Sequence, residues 1–248
     1  ILEPQYLVVW MDAVHLKVRV DGKYINNAMH VVIGLKPDGL KEVLGMWLNK
    51  TESASFWMSV LSDLKSRGVE DIIIACTDNL AGFTKAIKGV FPETITQLCM
   101  VHQIRNSVKF VVYKDRKQFC TDMKQIYSAN NEEQAVEALK LLKKTWGEKY
   151  KYAIKSWENN WENLMPFLEY PPELRKIIYT TNTIENLNRG IRKYTKTKVQ
   201  FPDEKSVKKS VYLAILNNEK SWTKPILKWG LIMNQFLVIF GERCRIKH

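Results

Sequence analysis

The sequence predicts an α/β fold in which a mixed five-stranded sheet is flanked by helices. Residues 6 to 20 alternate apolar and polar side chains with a period of two, which is typical of a strand with one buried face. Ile72 to Cys76 is an uninterrupted apolar run, which is typical of a strand buried on both faces. Together with the turns and helices between them, the order β-β-β-α-β-α-β-α is that of a ribonuclease-H-like core.

The first three strands are predicted to form an antiparallel meander. Asp21-Gly22 is a strong hairpin signal, and a second strand runs from Lys23 to Leu35. Pro37-Asp38-Gly39 marks the next turn, after which the third strand covers Leu40 to Leu48. These strands make up the antiparallel half of the sheet.

The rest of the core alternates helices and strands. Ser53 to Arg67 has the periodicity of an amphipathic helix that ends at Gly68. Thr77-Asp78-Asn79 is predicted to begin a helix that reaches about Lys88. Thr96 to Val101 is the fifth strand, and a helix follows from about His102.

Helical periodicity continues without strands after residue 114. Asn131 is a plausible N-cap with Gln134 at the reciprocal position of a capping box, and Pro171-Pro172 marks the exit from the helical region. The apolar run from Gly230 to Phe240 is too short to span a membrane and is interpreted as a core helix.

Four segments are therefore expected. They are the first part of the ribonuclease-H-like core at 1–113, an all-helical insertion at 114–178 between the fifth strand and the last core helix, that last core helix at 179–200, and C-terminal helices packed on the core at 201–248.

Composition limits the class of partner. The chain has 248 residues and 46% hydrophobic side chains, enough for a substantial core, and its net charge of +12 favours a polyanionic partner such as nucleic acid. Its four cysteines have no paired spacing, so we expect a reducing, cytoplasmic compartment and no membrane partner. Because the chain starts with Ile1 almost directly in a strand, we expect a piece of a longer protein.

Two aspartates lie where a metal site could form. Asp12 falls on the apolar face of the first strand, where a carboxylate is costly unless it is paired or binds metal. The alternatives for Asp12 are a bulge that turns it to solvent or a buried ion pair. Asp78 follows the buried strand, at the end where ligand sites of α/β sheets gather. Helix capping is the alternative for Asp78.

Glu185 completes the candidate set. On the helix predicted from Thr180 to Lys198, Glu185 shares a polar stripe with cations, whereas Ile184, Leu187, Ile191 and Tyr194 form the apolar stripe. The alternative is a solvated pair between Glu185 and Arg189. Three carboxylates from two neighbouring strands and a facing helix suit two Mg²⁺ ions, with Mn²⁺ able to replace them, as phosphodiester chemistry needs.

These residues, in this order, resemble the mutator-type transposases of bacterial insertion sequences. The resemblance covers nearly the whole chain and is carried by the following blocks: the opening strand with Asp12; Gly45-Met46-Trp47 with Glu52 and Trp57; Arg67-Gly68-Val69 leading to Thr77-Asp78-Asn79; Cys99-Met100-Val101-His102 with Arg105-Asn106; Pro171 to Arg175; and the run from Thr180 to Arg189.

The resemblance implies a function and a site. It implies a DDE-type transposase that cuts and rejoins DNA, with Asp12, Asp78 and Glu185 as the catalytic triad and metal ligands. It implies the ends of a mobile element and target DNA as partners, and a homodimer or higher oligomer in the active complex. It also implies an N-terminal DNA-end-binding region in family members, which is not part of this sequence.

Cations cluster near the proposed third carboxylate. From Arg189 to Lys209 there are eight cations and two acids, and a second basic cluster begins at Arg105. Their position favours contacts to backbone phosphates of DNA rather than recognition of the base sequence. The candidate DNA-binding residues are Arg105, Asn182, Arg189, Arg192, Lys193, Lys196 and Lys198.

Cys99 and His102 belong to the resemblance but suggest no clear chemistry. Zinc needs four ligands, and the spacing of Cys76 and Cys120 does not supply the other two. The favoured interpretation is a cysteine packed in the core at the strand end and a histidine near the helix start and the active site.

Two other functions compete with transposition. A different ribonuclease-H-like nuclease, such as a junction resolvase, is disfavoured by the long helical insertion and the Thr180 to Arg189 block. A catalytically inactive, transposase-derived DNA-binding protein is disfavoured by the presence of all three acids. A strand-transfer assay with metal on a pre-cleaved end separates the three hypotheses.

Overall fold

The structure is a computed structural model that describes residues 1–50, 53–80, 82–179, 182–195 and 200–244. The chain forms two compact units. The first contains residues 1–96 and 181–248, and the second contains residues 97–180.

A mixed five-stranded sheet is the centre of the first unit, in the order β3-β2-β1-β4-β5. Its strands are β1 Gln5–Val20, β2 Lys23–Leu35, β3 Lys41–Asn49, β4 Asp71–Thr77 and β5 Ile95–Leu98. The first three are antiparallel, and β4 runs parallel to β1. The predicted ribonuclease-H-like sheet is therefore confirmed, with β1 paired on both sides.

Helices of the first unit pack on this sheet. They are α1 Ala54–Ser66, α2 Phe83–Val90, α8 Asn182–Thr195, α9 Glu204–Glu219 and α10 Trp229–Phe240, followed by a 3₁₀ turn at Gly241–Arg243. Against one face lies an apolar cluster in which Trp57 of α1 stacks on Phe83 of α2, with ring centroids 4.6 Å apart. The other face is packed by α8 and α9.

The second unit is helical apart from its first residues in β5. Its helices are α3 Met100–Lys109, α4 Tyr113–Tyr127, α5 Glu132–Trp146, α6 Lys151–Leu164 and α7 Pro172–Tyr179, with a 3₁₀ turn at Met165–Glu169. Asn131 caps α5, since its side chain accepts a hydrogen bond of 2.9 Å from the N–H of Gln134. Gln134 in turn accepts one of 3.1 Å from the N–H of Asn130, so a box-like cap holds this helix start.

The hairpin between β1 and β2 turns as predicted. Asp21 and Gly22 both have positive φ angles, 50° and 79°, and Val20 pairs with Lys23 across a two-residue turn. Two positive φ angles match the twist of the flanking strands, and a glycine meets this requirement without steric cost.

Two predicted boundaries are wrong. No helix begins at Thr77-Asp78-Asn79, because α2 starts at Phe83 behind Gly82, whose φ of 81° lies in the left-handed region. The fifth strand ends at Leu98 rather than Val101, because Cys99 already caps α3. A thiol is not a usual N-cap, so propensity gave no signal for this helix start.

Two predicted burial patterns are also only partly correct. Tyr194 was placed on the apolar stripe of α8 but is 48% exposed. On α10, interpreted as a core helix, Ile232 and Phe236 are buried while Val238 is 85% exposed. Periodicity located both helices but not the width of the face that each one buries. No helix in the described part of the chain is both long enough and apolar enough to span a membrane.

His30 of β2 is a neutral histidine in the core. It is fully buried, its ring centroid lies 4.4 Å from that of Phe56 and 5.0 Å from that of Trp57, and its two nitrogens have no hydrogen-bond partner among the described residues. Burial, with a smaller contribution from the charge of His15, lowers the pKa of His30 to about 4. Protonation of His30 is therefore disfavoured in the folded chain.

We expect His30 to make the folded state less stable in acid. The unfolded chain takes up a proton near the ordinary histidine pKa of about 6.5, whereas the folded chain takes it up only near 4, so stability is lost as the pH falls between these values. His30→Phe should flatten the dependence of the unfolding free energy on pH between 7 and 5, measured by urea denaturation. The unmodified chain provides the reference slope, and an unchanged slope in His30→Phe would contradict the assignment.

Candidate active site

Asp12 lies in the middle of β1 on the face covered by α8. It stands opposite Val31 of β2 and is only 8% exposed. One carboxylate oxygen accepts a hydrogen bond of 2.7 Å from the N–H of Ala13, and the other accepts a short hydrogen bond from the amide of Asn188. The strand does not turn Asp12 to solvent, so the bulge alternative is wrong.

Helix α8 carries two polar residues on its sheet side. Ile184, Leu187 and Ile191 are at most 1% exposed and anchor the helix. Asn188 lies in the same buried stripe, 2% exposed, and Glu185 is half-buried one turn before it. A spacing of three residues puts Glu185 and Asn188 on the same side of the helix. The contact between Asn188 and Asp12 therefore brings the turn that carries Glu185 toward β1.

Glycine 190 allows the next helix to approach α8 closely. A Cβ atom at this position would lie 2.3 Å from the side-chain amide of Asn218 on α9. A larger residue would have to displace the side chain of Asn218. Helix α8 packs against both β1 and α9.

Asp78 follows β4 directly, in the first loop position after Thr77. Trp10 of β1 pairs with Cys76 of β4 in parallel register. Asp12 and Asp78 each come two residues after this pair, Asp12 within β1 and Asp78 in the loop that follows β4. The carbonyl of Asp78 accepts a hydrogen bond of 2.9 Å from the N–H of Leu80. Asp78 does not cap α2, so the capping alternative is wrong for this helix.

Asn188 is a site residue that the sequence reasoning missed. It falls within the Thr180 to Arg189 block, but a helical wheel places it between the polar and apolar stripes, and asparagine is an ordinary surface residue. The available signal was its spacing of three residues from Glu185. Only the structure reveals that its amide contacts the carboxylate of Asp12.

The predicted DNA-binding cations are divided between the two units. Arg189, Arg192 and Lys193 are exposed on α8, in the first unit, and Asn182 begins that helix. Arg105 is exposed on α3, in the second unit. Lys196 and Lys198 lie outside the described residues.

Cys99 and His102 lie together at the start of α3. Cys99 is 4% exposed, and its sulfur accepts a hydrogen bond of 3.4 Å from the N–H of His102. The cysteine is thus buried at the strand end and the histidine lies in the first helical turn, as expected. The role of this cysteine in the fold is to cap α3. All four cysteines are free thiols.

Comparison of the sequence with known proteins identifies its family. Residues 1–225 match the family model described as "Transposase, Mutator family". A probable transposase for an ISRM3-like insertion sequence element from Sinorhizobium fredii is 43% identical over 98% of this chain and 61% of its own length. The transposase for ISRM3 from Rhizobium meliloti is 42% identical over the same shares. The chain spans about 61% of the length of these relatives.

Among solved structures, an intasome of simian T-cell lymphotropic virus, in complex with a PP2A regulatory subunit, is similar over 58% of this chain and 48% of that chain. The two are 15% identical, with a TM-score of 0.30. The family model and the identities to the two insertion-sequence relatives settle the classification. The chain belongs to the Mutator family of transposases.

Proposed function

We propose that this chain is the catalytic domain of a DNA transposase that cleaves phosphodiester bonds at the ends of a mobile element and joins them to target DNA. Asp12, Asp78 and Glu185 are the proposed catalytic residues and metal ligands. The observation that carries this proposal is the buried carboxylate of Asp12, held by Asn188 of α8 one helical turn from Glu185. The parallel pairing of β1 with β4 as far as Trp10 and Cys76 supports adding Asp78, which follows the end of β4.

The donor set suits two Mg²⁺ ions, with Mn²⁺ able to replace them. All three side chains offer hard carboxylate oxygens, which Mg²⁺ prefers. The hydrogen-bond donors to Asp12 named above, the N–H of Ala13 and the amide of Asn188, are uncharged. When bound, two such ions would activate the attacking water or 3′-hydroxyl and stabilise the leaving oxygen.

Residues of the chain position the proposed catalytic carboxylates. Ala13 and Asn188 each hold one oxygen of Asp12, which fixes the orientation of this carboxylate before substrate arrives. The buried side of α8 sets the position of Glu185, because Ile184 and Leu187 leave this helix little freedom to roll. Preorganised charge of this kind lowers the barrier without reorganisation during the reaction.

Exposed cations on α8 are proposed to hold the DNA backbone. Arg189 lies four residues after Glu185, and Arg192 and Lys193 follow one turn later. Contacts to phosphates from such residues position a strand without reading its sequence. Asn182, Lys196, Lys198 and, from the second unit, Arg105 complete the proposed DNA-binding set.

Element ends and target DNA are the proposed partners, in a homodimer or higher oligomer. We further propose that residues 114–178 are an insertion into the ribonuclease-H-like core between the fifth strand and α8. An inactive DNA-binding protein is the second candidate function, and the presence of the three acids together with a buried partner for Asp12 favours the enzyme.

Replacing Glu185 by glutamine should separate catalysis from binding. Glu185→Gln keeps the size of the side chain but removes the charge that a Mg²⁺ ligand needs. Mutations of residues that only surround a metal ligand lower metal affinity or activity by about 10- to 100-fold. Loss of a ligand's charge should therefore lower strand transfer by at least about 100-fold. DNA binding at fixed salt should stay or improve because a repulsive charge is gone.

The measurements are strand transfer of a pre-cleaved end with Mg²⁺ and equilibrium binding by fluorescence anisotropy. Glu204→Gln is the matched control, since Glu204 is an exposed glutamate in the first turn of α9. Both readouts should be unchanged in this control. Near-normal transfer by Glu185→Gln would mean that Glu185 is only the helix-face partner of Arg189.

Reversing the charge of Arg189 or Arg192 should weaken catalysis and binding together. Both processes use cations at this face, because phosphate positioning and stabilisation of the transition-state charge depend on them. Arg189→Glu and Arg192→Glu are compared with Lys220→Glu, which reverses an exposed cation just after α9. If the arginine variants bind and transfer DNA as well as Lys220→Glu does, α8 is not the DNA-contacting face.

A further inference from the structure

The tip of the β1–β2 hairpin extends beyond the strands that flank it. Strand β4 pairs with β1 only as far as Trp10, and β3 pairs with β2 only from Ala28 onward. Residues 15–28, here called the ribbon, therefore form a two-stranded projection. One edge of the ribbon is held by Phe201, whose N–H and carbonyl bond the backbone of Lys17 and Arg19 at 2.9 Å each.

The ribbon has one buried and one exposed face. Leu16, Val18 and Asn27 point to the buried side and are at most 9% exposed. Alternation places Lys17 and Arg19 on the other face, where they stand opposite Asn26 and Tyr24. The exposed residues of this face are His15, Lys17, Arg19, Tyr24 and Asn26.

The exposed face of the ribbon is positively charged. Its two full charges are those of Lys17 and Arg19, neither of which forms an ion pair with any described residue. Lys23 at the tip pairs with Val20 and belongs to the opposite face by alternation, and Asp21 in the turn is the ribbon's one acid. Backbone anchoring by Phe201 fixes the two central cations, so they project from a rigid strand rather than a loop.

Charges on a projecting hairpin also protect it against edge-to-edge aggregation. Charges of either sign, or of both signs together, protect a strand edge against aggregation in this way. The exposed face carries only cations beside polar and aromatic side chains, all of which are able to contact nucleic acid. An exposed face that carries only positive charges is better suited to bind a polyanion than to serve only as a solvated surface.

We propose that the exposed face of the ribbon binds the phosphate backbone of a DNA duplex. His15, Lys17 and Arg19 are each two residues apart, so they span about 13 Å along the strand. At about 3.4 Å of helix axis per phosphate of one DNA strand, this length corresponds to about four phosphates along the axis. The major groove is wide enough to admit a two-stranded ribbon of this type.

The ribbon binds a different duplex segment from the one at the carboxylates. Asp12 lies on the α8 side of β1, whereas Lys17 and Arg19 point to the opposite side of the same strand. A duplex at the ribbon is therefore flanking or target DNA in the reaction proposed above. The role of this duplex rests on the proposed function, whereas its binding to the ribbon does not.

The test is the salt dependence of DNA binding in a double variant, Lys17→Gln with Arg19→Gln. Each lost phosphate contact lowers the slope of log affinity against log salt by about 0.9, so the slope should become shallower by roughly 1.8. The probe is a fluorescently labelled random-sequence duplex, measured by anisotropy over a salt series. Both side chains are exposed, and a melting curve checks that the fold is intact.

The matched control removes two exposed cations at the other end of the sheet, with Lys220→Gln and Lys224→Gln. These residues follow Glu219, whose carboxylate binds the N–H of Val43 near the start of β3, far from the ribbon. The control should keep the wild-type slope. An unchanged slope in the ribbon variant would overturn the proposal and leave edge protection as the role of its cations.

Two further outcomes remain distinguishable. If the ribbon variant keeps the DNA slope but loses binding to polyglutamate, the ribbon docks an acidic protein surface and the DNA proposal is overturned. If the slope falls as expected while the unmodified chain shows no strand transfer with Mg²⁺, the ribbon proposal stands and the proposed catalytic function fails.

Discussion

Burial of the carboxylate of Asp12 is the constraint on which the rest of the site depends. A charged carboxylate in a central strand costs several kcal/mol in desolvation unless polar partners surround it. The N–H of Ala13 supplies one partner locally, but Asn188 comes from a helix 176 positions away in sequence. Docking of α8 on that face of the sheet therefore helps the strand to tolerate Asp12.

Docking of α8 has consequences along its whole length. The buried apolar side chains and Asn188 fix the rotation of the helix, so Glu185 lies one turn toward its start and the arginines face away from the sheet. Gly190 then admits α9 against the same helix, and Phe201 before α9 pairs with Val18 of β1. One chain segment thus links the buried carboxylate, the exposed cations and the base of the ribbon.

Local rules predicted much of this fold, and tertiary contacts decided the rest. Period-two alternation and the Asp21-Gly22 turn placed the first two strands nearly to the residue, because these signals act over a few positions. The predicted start of α2 was wrong because Gly82, which has a left-handed backbone conformation, precedes the helix in place of a polar capping residue. Asn188 was missed because its partner lies in a distant strand, which no helical wheel contains.

In the proposed site, the carboxylates of Asp12, Asp78 and Glu185 bind the same pair of divalent ions. Electron paramagnetic resonance of free Mn²⁺ measures this directly, since bound Mn²⁺ disappears from the signal as protein is added. We expect two bound ions per chain, and weaker binding in each of Asp12→Asn, Asp78→Asn and Glu185→Gln. Unchanged number and affinity of bound Mn²⁺ in any one of these variants would contradict a shared site.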